Sequence, residues 1–408
     1  MKDYKKQNEF DFTFEAVSST LKNFENIANQ SKSLNFFMGF DGYIDLLYNM
    51  VRNRKNVMEF EIYESMKDFG QKIVDTTGSS ISIERSLKKK IGGGFAPNMA
   101  RAIGNMSPMA QIDLFGALGY PKINPIFKNL PKNVNLHSIG TPGETLALEF
   151  SDGKVMSQDF GGIFALDWET VISRIGGRDN LISFFEKADA IGNGHWSLMP
   201  YMSSYLQHFL TDIFPNISNL KKKLFFLDPA DLSKRSDGDI KDMLNLLMKI
   251  NDFIPVVLSV NDREVFDLIR TLKLEDQLPL KKNDPTSYLL AGKKINSNLN
   301  FSYFVIHDPH FATISGVEQT KVFHYWITEG FTSKPKYTVA AGDHFNAGLL
   351  NALLLGMSPS ESCIIANAAT AIFVRTGQSP SPKDLKRFIS HYFDYIKQDI
   401  DNFEINRN

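Results

Sequence analysis

One cysteine, Cys363, stands in a chain of 408 residues, so no disulfide can form within it and a reducing compartment is expected. It lies in the apolar run Cys363-Ile364-Ile365-Ala366, where a thiol is expected to pack as a small hydrophobe. Neither sign of charge is in excess, with Lys+Arg at 45 against Asp+Glu at 46. That balance offers no basic surface for nucleic acid or an acidic membrane. No apolar run reaches the ~20 residues of a membrane span. The start, Met1-Lys2-Asp3-Tyr4-Lys5-Lys6, is charged with no apolar segment behind it, which argues against a secretory signal and for a cytoplasmic protein. Low-complexity linkers and fixed-period repeats are absent too, so no boundary between independent domains is visible.

What is present is an ordinary globular composition, 43% hydrophobic and 22% charged, in a chain long enough to build a core without staples. Within residues 1–33, Val17, Leu21, Phe24 and Ile27 recur at helical spacing and predict an amphipathic helix ahead of a main domain over 34–408. That domain opens with the strand-like Leu34-Asn35-Phe36-Phe37-Met38-Gly39, followed by Phe40-Asp41-Gly42-Tyr43-Ile44-Asp45. Carboxylates just past a strand are where open α/β sheets bind ligands, so Asp41 and Asp45 are candidates, although Asp41-Gly42 would equally make a turn. Residues 60–77 have helical spacing. The alternating Ile81–Arg85 and Thr145–Phe150 read as exposed strands, which predicts a small lid sheet drawn from about 78–91 and 143–160. Between them, Gly92-Gly93-Gly94-Phe95-Ala96-Pro97-Asn98 would let backbone approach a ligand closely, or simply form a flexible loop.

The second half alternates strand and helix more plainly. Strands near 188–193, 224–228, 255–261 and 303–307 end in Asn193, Asp228, Asn261 and His307, which predicts a mostly parallel sheet with one polar edge. His195-Trp196 follows the first of these, where the Trp would either stack on a substrate or pack. Near the C-terminus, Thr338 through Gly348 brings small residues and a carboxylate to the start of an apolar helix. Open amides and the helix dipole suit that terminus to an anion, with Asp343 placed to take a proton. The same residues would also serve as a plain helix cap.

Taken in order, Gly93-Gly94-Phe95-Ala96-Pro97-Asn98, Asn261-Asp262-Arg263-Glu264 and Thr338–Gly348 resemble the signatures of the ribokinase-like, or PfkB, carbohydrate kinase family. The resemblance spans about 34 to 395. It implies a three-layer α/β/α fold with a small β-sheet lid and ATP-dependent phosphorylation of a hydroxymethyl group on a sugar or related polyol. By the same resemblance Asp343 would be the base, and the amides of Ala340, Ala341 and Gly342 the anion hole. Asp45 (with Asp41 as its rival), Gly93, Gly94 and Asn98 would hold the acceptor. Asn261 and Glu264 would organise Mg²⁺, with Glu264 nearest the metal, while Asn367 and Gly377 would lie on the nucleotide side. Apart from the resemblance, an exposed polar-apolar lid sheet could pair with its twin in a homodimer.

Two departures stand out. Ala340 replaces the first Gly of the family's Gly-Ala-Gly-Asp, and His307-Asp308-Pro309-His310 replaces a Thr-x-Gly-like nucleotide contact. They leave open ADP as donor, or a sugar- or nucleoside-binding regulatory protein without turnover. His307, Asp308 and His310 also make a conceivable metal cluster, though a polar loop accounts for them as well.

Overall fold

Neighbouring residues along the buried strands feed two separate cores. Phe37, Phe225, Leu258 and Phe304 pack on one face, while Phe36, Phe226, Val257 and Val305 pack on the other. A parallel sheet covered on both faces reads in sequence as a continuous apolar run for this reason. In the computed structural model, residues 5–29, 34–318 and 320–405 are described, with side chains for all but 25–29, so Ile27 of the expected helical stripe lies outside the described side chains.

The strands in chain order are β1 (Asn35–Phe40), β2 (Tyr43–Arg54), β3 (Phe60–Ile62), β4 (Arg85–Gly93), β5 (Gln111–Gly116), β6 (Val134–Ser138), β7 (Gly143–Phe150), β8 (Gly153–Asp159), β9 (Ala190–Gly194), β10 (Leu224–Leu227), β11 (Val256–Asn261), β12 (Tyr303–Asp308), β13 (Phe311–Glu318) and β14 (Lys321–Thr328). Among the described residues, 9 strands form the main sheet in the order β14-β13-β12-β11-β10-β9-β1-β5-β6. The order doubles back beside β1, which leaves a crevice above the C-terminal strand ends, the usual ligand position in such sheets. Pairing from β6 to β12 is parallel, and β13 and β14 extend the sheet antiparallel.

Five helices matter here: α1 (Thr13–Asn29), α2 (Phe95–Met106), α3 (Glu264–Thr271), α4 (Ala341–Leu354) and α5 (Pro359–Thr376). α1 buries Ala16, Val17 and Phe24 in the same core as α4 and α5, so the leading segment is packed onto the domain. Just ahead of α1, Phe12 N–H donates to Trp326 O (3.1 Å) and Trp326 N–H to Phe10 O (3.0 Å), which covers the edge of β14. The loop ahead of α4 is held by Arg375, which is 1% exposed and donates to the carbonyls of Gly330 (2.9 Å), Phe331 (3.1 Å) and Ile400 (2.7 Å).

The lid is larger than expected. Its 5 strands include β2, which runs parallel to β7 and antiparallel to β4 and β3. The two segments expected to pair directly do not, because β2 lies between them. Residues 81–84 are not strand, and the helix expected over 60–77 is confined to Met66–Val74. Asp45, expected at the end of the first strand, is on the lid strand β2, whereas Asp41 is the residue that follows β1.

Candidate active site

α4 begins where the chain must turn sharply. Ala340 caps it at φ 70°, ψ 13°, and the amides of Gly342 and Asp343 bond to no described residue. Two open amides and the helix dipole leave this terminus suited to an anion. The Ala341 amide, expected among the donors, instead turns back to Thr338 O at 3.3 Å. A side chain on Gly342 would meet only the His307 ring, at 3.5 Å, so the missing Cβ leaves room on the cleft side of the turn. The left-handed angle at Ala340 is the one under which a Cβ is unfavourable, and the chain carries that strain at the mouth of the site.

Asp343, 7% exposed, lies in the first turn of α4. Its Oδ2 accepts a hydrogen bond from Asn98 Nδ2 at 2.8 Å, and its Oδ1 is 3.7 Å from His195 Nε2. The other ring nitrogen, His195 Nδ1, is 3.3 Å from Asp41 Oδ2 but has no well-aligned hydrogen-bond partner. Burial pulls the His195 pKa down, yet Asp343 and Asp41 more than offset this and leave it well above the ordinary value. The ring thus lies between two carboxylates that favour its charged form. Asp41 is fully buried, outside the cleft lining, and accepts from the amides of Phe95 and Ala96 (both 2.8 Å), so it anchors the start of α2 and does not face an acceptor. Asn98 in turn accepts from Arg101 Nη1 (2.8 Å), which completes its amide.

Asp45 faces the cleft from the lid, opposite Thr145 of β7. Burial, with Asp343 and Asp41 adding to it and Thr145 opposing, pushes its pKa up to about 6. The glycines expected to touch substrate make space for carboxylates. A Cβ on Gly93 would fall 2.2 Å from Asp45 Oδ2, and one on Gly94, at φ 102°, 3.1 Å from Asp41 Oδ2.

Across the cleft, Glu264 at the start of α3 accepts from the Asn261 amide (2.9 Å) and from Asn261 Nδ2 (2.6 Å). Asp228 accepts from Asn346 Nδ2 and Ala230 N–H (both 2.8 Å). Burial raises both acids, and Asp228 raises Glu264 further. Two desolvated carboxylates that repel one another fit a divalent cation with oxygen ligands and its waters. His195, Asp228 and Asp343 also bring ligand atoms within 4.8 Å of one another. His195 there is flanked by Asp41 and Asp343, and its imidazole suits a hard metal less well than carboxylate oxygens do. His307 lines the cleft beside Gly342, stacks on Phe345 (4.8 Å) and is held neutral, its pKa lowered by burial to about 4.

Asp45, Gly94, Asn98, His195, Asp228, Glu264, His307 and Asp343 surround one cleft of about 350 Å³, roofed by Tyr43, Thr145, Met156 and Gln158 of the lid, whereas Gly93 and Arg101 line the neighbouring groove. Asn367 is elsewhere: fully buried in α5, it donates to Tyr392 Oη at 3.1 Å. Gly377 ends α5 at φ 70° and lines a neighbouring groove with Tyr337 and Ser379. Trp196 is 1% exposed and donates to Ser203 Oγ (2.9 Å), so it packs and does not stack on a ligand. Sequence reading did not single out Arg101, Thr145 or Asn346. For Asn346 the signal was available, three residues beyond Asp343 and so on the same helical face.

The strain at Ala340 is testable. Ala340→Gly is expected to raise stability by about 1 kcal/mol, because glycine adopts this angle without a Cβ penalty. An upward shift in urea midpoint checks it, and an unchanged or lower midpoint refutes it.

Residues 11–392 match the profile of the family described as prokaryotic ketohexokinase. The ketohexokinase of Haloferax volcanii is 31% identical over 364 residues, covering 88% of this chain and 91% of that one. Among solved structures, Arabidopsis thaliana ribokinase complexed with ribose and ATP aligns with a TM-score of 0.57 at 16% identity, over 88% of this chain and 98% of that one. A probable sugar kinase from Rhizobium etli aligns at 0.56 and 12% identity, over 88% and 98%. These two likenesses show the fold, a mostly parallel sheet of ribokinase type with a separate small sheet. The sequence matches carry the closer relationship: the chain belongs to the prokaryotic ketohexokinase family and is a carbohydrate kinase of the PfkB type.

Proposed function

We propose that this protein transfers the γ-phosphoryl group of ATP to a primary hydroxyl of a ketohexose. The observation that carries the reading is that Asp343, the open amides at the start of α4 and Asp45 meet in a single cleft beneath the lid. Asp45, with the Thr145 hydroxyl beside it, takes acceptor hydroxyls, and Asp343 receives the proton of the one that reacts. As the new O–P bond forms, the bond from the γ-phosphorus to the bridging oxygen breaks and ADP leaves. The amides of Gly342 and Asp343 take up charge on the phosphoryl oxygens, so the protein's task is positioning and neutralisation. Mg²⁺, held by Glu264 and Asp228 through its waters, would supply positive charge to the donor phosphates. ATP and Mg²⁺ are mainly cytoplasmic supplies, which suits a chain with one buried thiol.

The decisive experiment follows ADP release over a panel of ketohexoses, aldoses and nucleosides, with ATP exchanged for ADP as donor in a parallel series. Asp343→Asn should keep the melting temperature and lower turnover by about 10²- to 10⁴-fold. A ligand that raises the melting temperature while no acceptor ever yields product would instead establish a binding protein.

The raised pKa of Asp45 sets a pH dependence. Its carboxylate is lost as pH falls through about 6, so KM for the acceptor should rise below that point. Asp45→Asn should show a high KM at every pH and no such inflexion. A wild-type KM flat from pH 5 to 7.5 would remove Asp45 from acceptor binding.

The outer lid exposes Leu87 and Val155, which supports pairing of two copies through this sheet. Light scattering should give twice the 46.1 kDa chain mass, and Leu87→Glu with Val155→Glu should return it to the single-chain value. A single-chain mass for the unaltered protein refutes the pair.

A further inference from the structure

Arg101 belongs to none of the sequence signatures, yet it stands one residue removed from the base. Its guanidinium donates to Asn98 Oδ1 at 2.8 Å and to Gly92 O at 3.3 Å, and it forms no ion pair with a described residue. Burial lowers its pKa, with Asp343 opposing, so the site retains a partly desolvated cation with no carboxylate against it. Such a group costs stability unless its placement does something else.

The geometry of Asn98 supplies the reason. A guanidinium only donates hydrogen bonds and an ionised carboxylate only accepts them. The Asn98 amide lies between the two, so one orientation satisfies both neighbours: oxygen toward Arg101, nitrogen toward Asp343 Oδ2 at 2.8 Å. The flipped amide would set its N–H groups against the guanidinium and its carbonyl against the carboxylate. Without Arg101 only the carboxylate favours this orientation and the amide oxygen loses its fixed donor, so Asn98 is freer to turn that oxygen to an acceptor hydroxyl and holds Asp343 less firmly.

We propose that Arg101 is a positioning residue for the base, acting through Asn98 to fix which oxygen of Asp343 is occupied and which takes the acceptor's proton. Oδ2 is occupied by Asn98, and Oδ1, which has His195 Nε2 at 3.7 Å, is the oxygen left to take the acceptor's proton. The assignment rests on the phosphotransferase reading above. In that reaction the proton passes from the acceptor hydroxyl to Asp343 as its oxygen bonds to phosphorus and ADP departs, so the direction in which the carboxylate points enters turnover directly.

The test is a double-mutant cycle on the full chain with Arg101→Met, Arg101→Lys, Asn98→Ala and Arg101→Met/Asn98→Ala, read as kcat and as separate KM values for ATP and ketohexose. Arg101→Met is expected to lower kcat by about 10- to 100-fold with each KM changed less than about threefold. Arg101→Lys, which keeps one charged donor, should recover part of the loss. In the Asn98→Ala background, Arg101→Met should cost nothing further, because the intermediary is already gone. A merely structural arginine would lower the melting temperature, and its effect would multiply with that of Asn98→Ala. Multiplicative losses, an unchanged kcat, or a lysine variant no better than methionine would each overturn the assignment. Should Arg101→Met not fold, Arg101→Leu takes its place in the same cycle. Failure of the unaltered protein to release ADP with any ketohexose would strike the phosphotransferase reading, whereas an active protein with multiplicative losses would strike Arg101 alone.

Discussion

Several negative charges buried around one point is the constraint from which the rest of the site follows. Asp41, Asp45, Asp228, Glu264 and Asp343 are each no more than 8% exposed, and an unpaired buried carboxylate is costly. The fold answers most of them with dedicated donors: α2 amides for Asp41, Asn346 for Asp228, Asn261 for Glu264, Asn98 for Asp343. His195 lies between two of the acids, which favour its charged form. What remains unanswered appears as raised pKa values at Asp45, Asp228 and Glu264. That residual repulsion disposes the cleft toward a cation and toward hydroxyl donors, the two partners that a sugar kinase must gather.

α4 organises this answer more than any other element. One turn of it supplies the open amides, the next residue Asp343, and three residues later Asn346, which is itself oriented by Ser259 Oγ (2.7 Å) from β11. The loop before it is tied by Arg375 to the end of α5, so the start of α4 is fixed from outside as well as by its own turn. On the proposed reaction, a phosphoryl group approaching this terminus would meet donors already in place, with little reorganisation at the moment of transfer.

Much of this was legible in the chain. Thr338–Gly348 and Asn261–Glu264 announce themselves because a helix start needs small residues and side-chain caps in fixed order. Polar residues closing β10, β11 and β12 mark the ligand edge for the same reason of geometry. The lid strand β2 was not legible. It is nearly all buried in its first half and carries a bulge between Leu47 and Tyr48, so the two-residue alternation that would betray it is broken. Nor could sequence separate Asp41 from Asp45, since four residues on a strand–turn–strand crossing decide which carboxylate faces inward. The Gly93–Gly94 pair was noticed, but its role in seating Asp45 and Asp41 required knowing which side chains lie opposite. Asn367, conversely, sat in the right motif and still ended in the core.

The segment ahead of α1 carries a consequence beyond catalysis. Its backbone bonds with Trp326 take up part of the outer face of β14, and Thr13 Oγ1 accepts the Thr328 amide there at 2.9 Å. An open antiparallel edge is a template on which foreign strands add, and covering it with the chain's own leading residues withdraws that template. Residues that lie outside the cleft therefore shield this edge, and proteolytic loss of residues 5–12 would expose β14 to edge-to-edge aggregation.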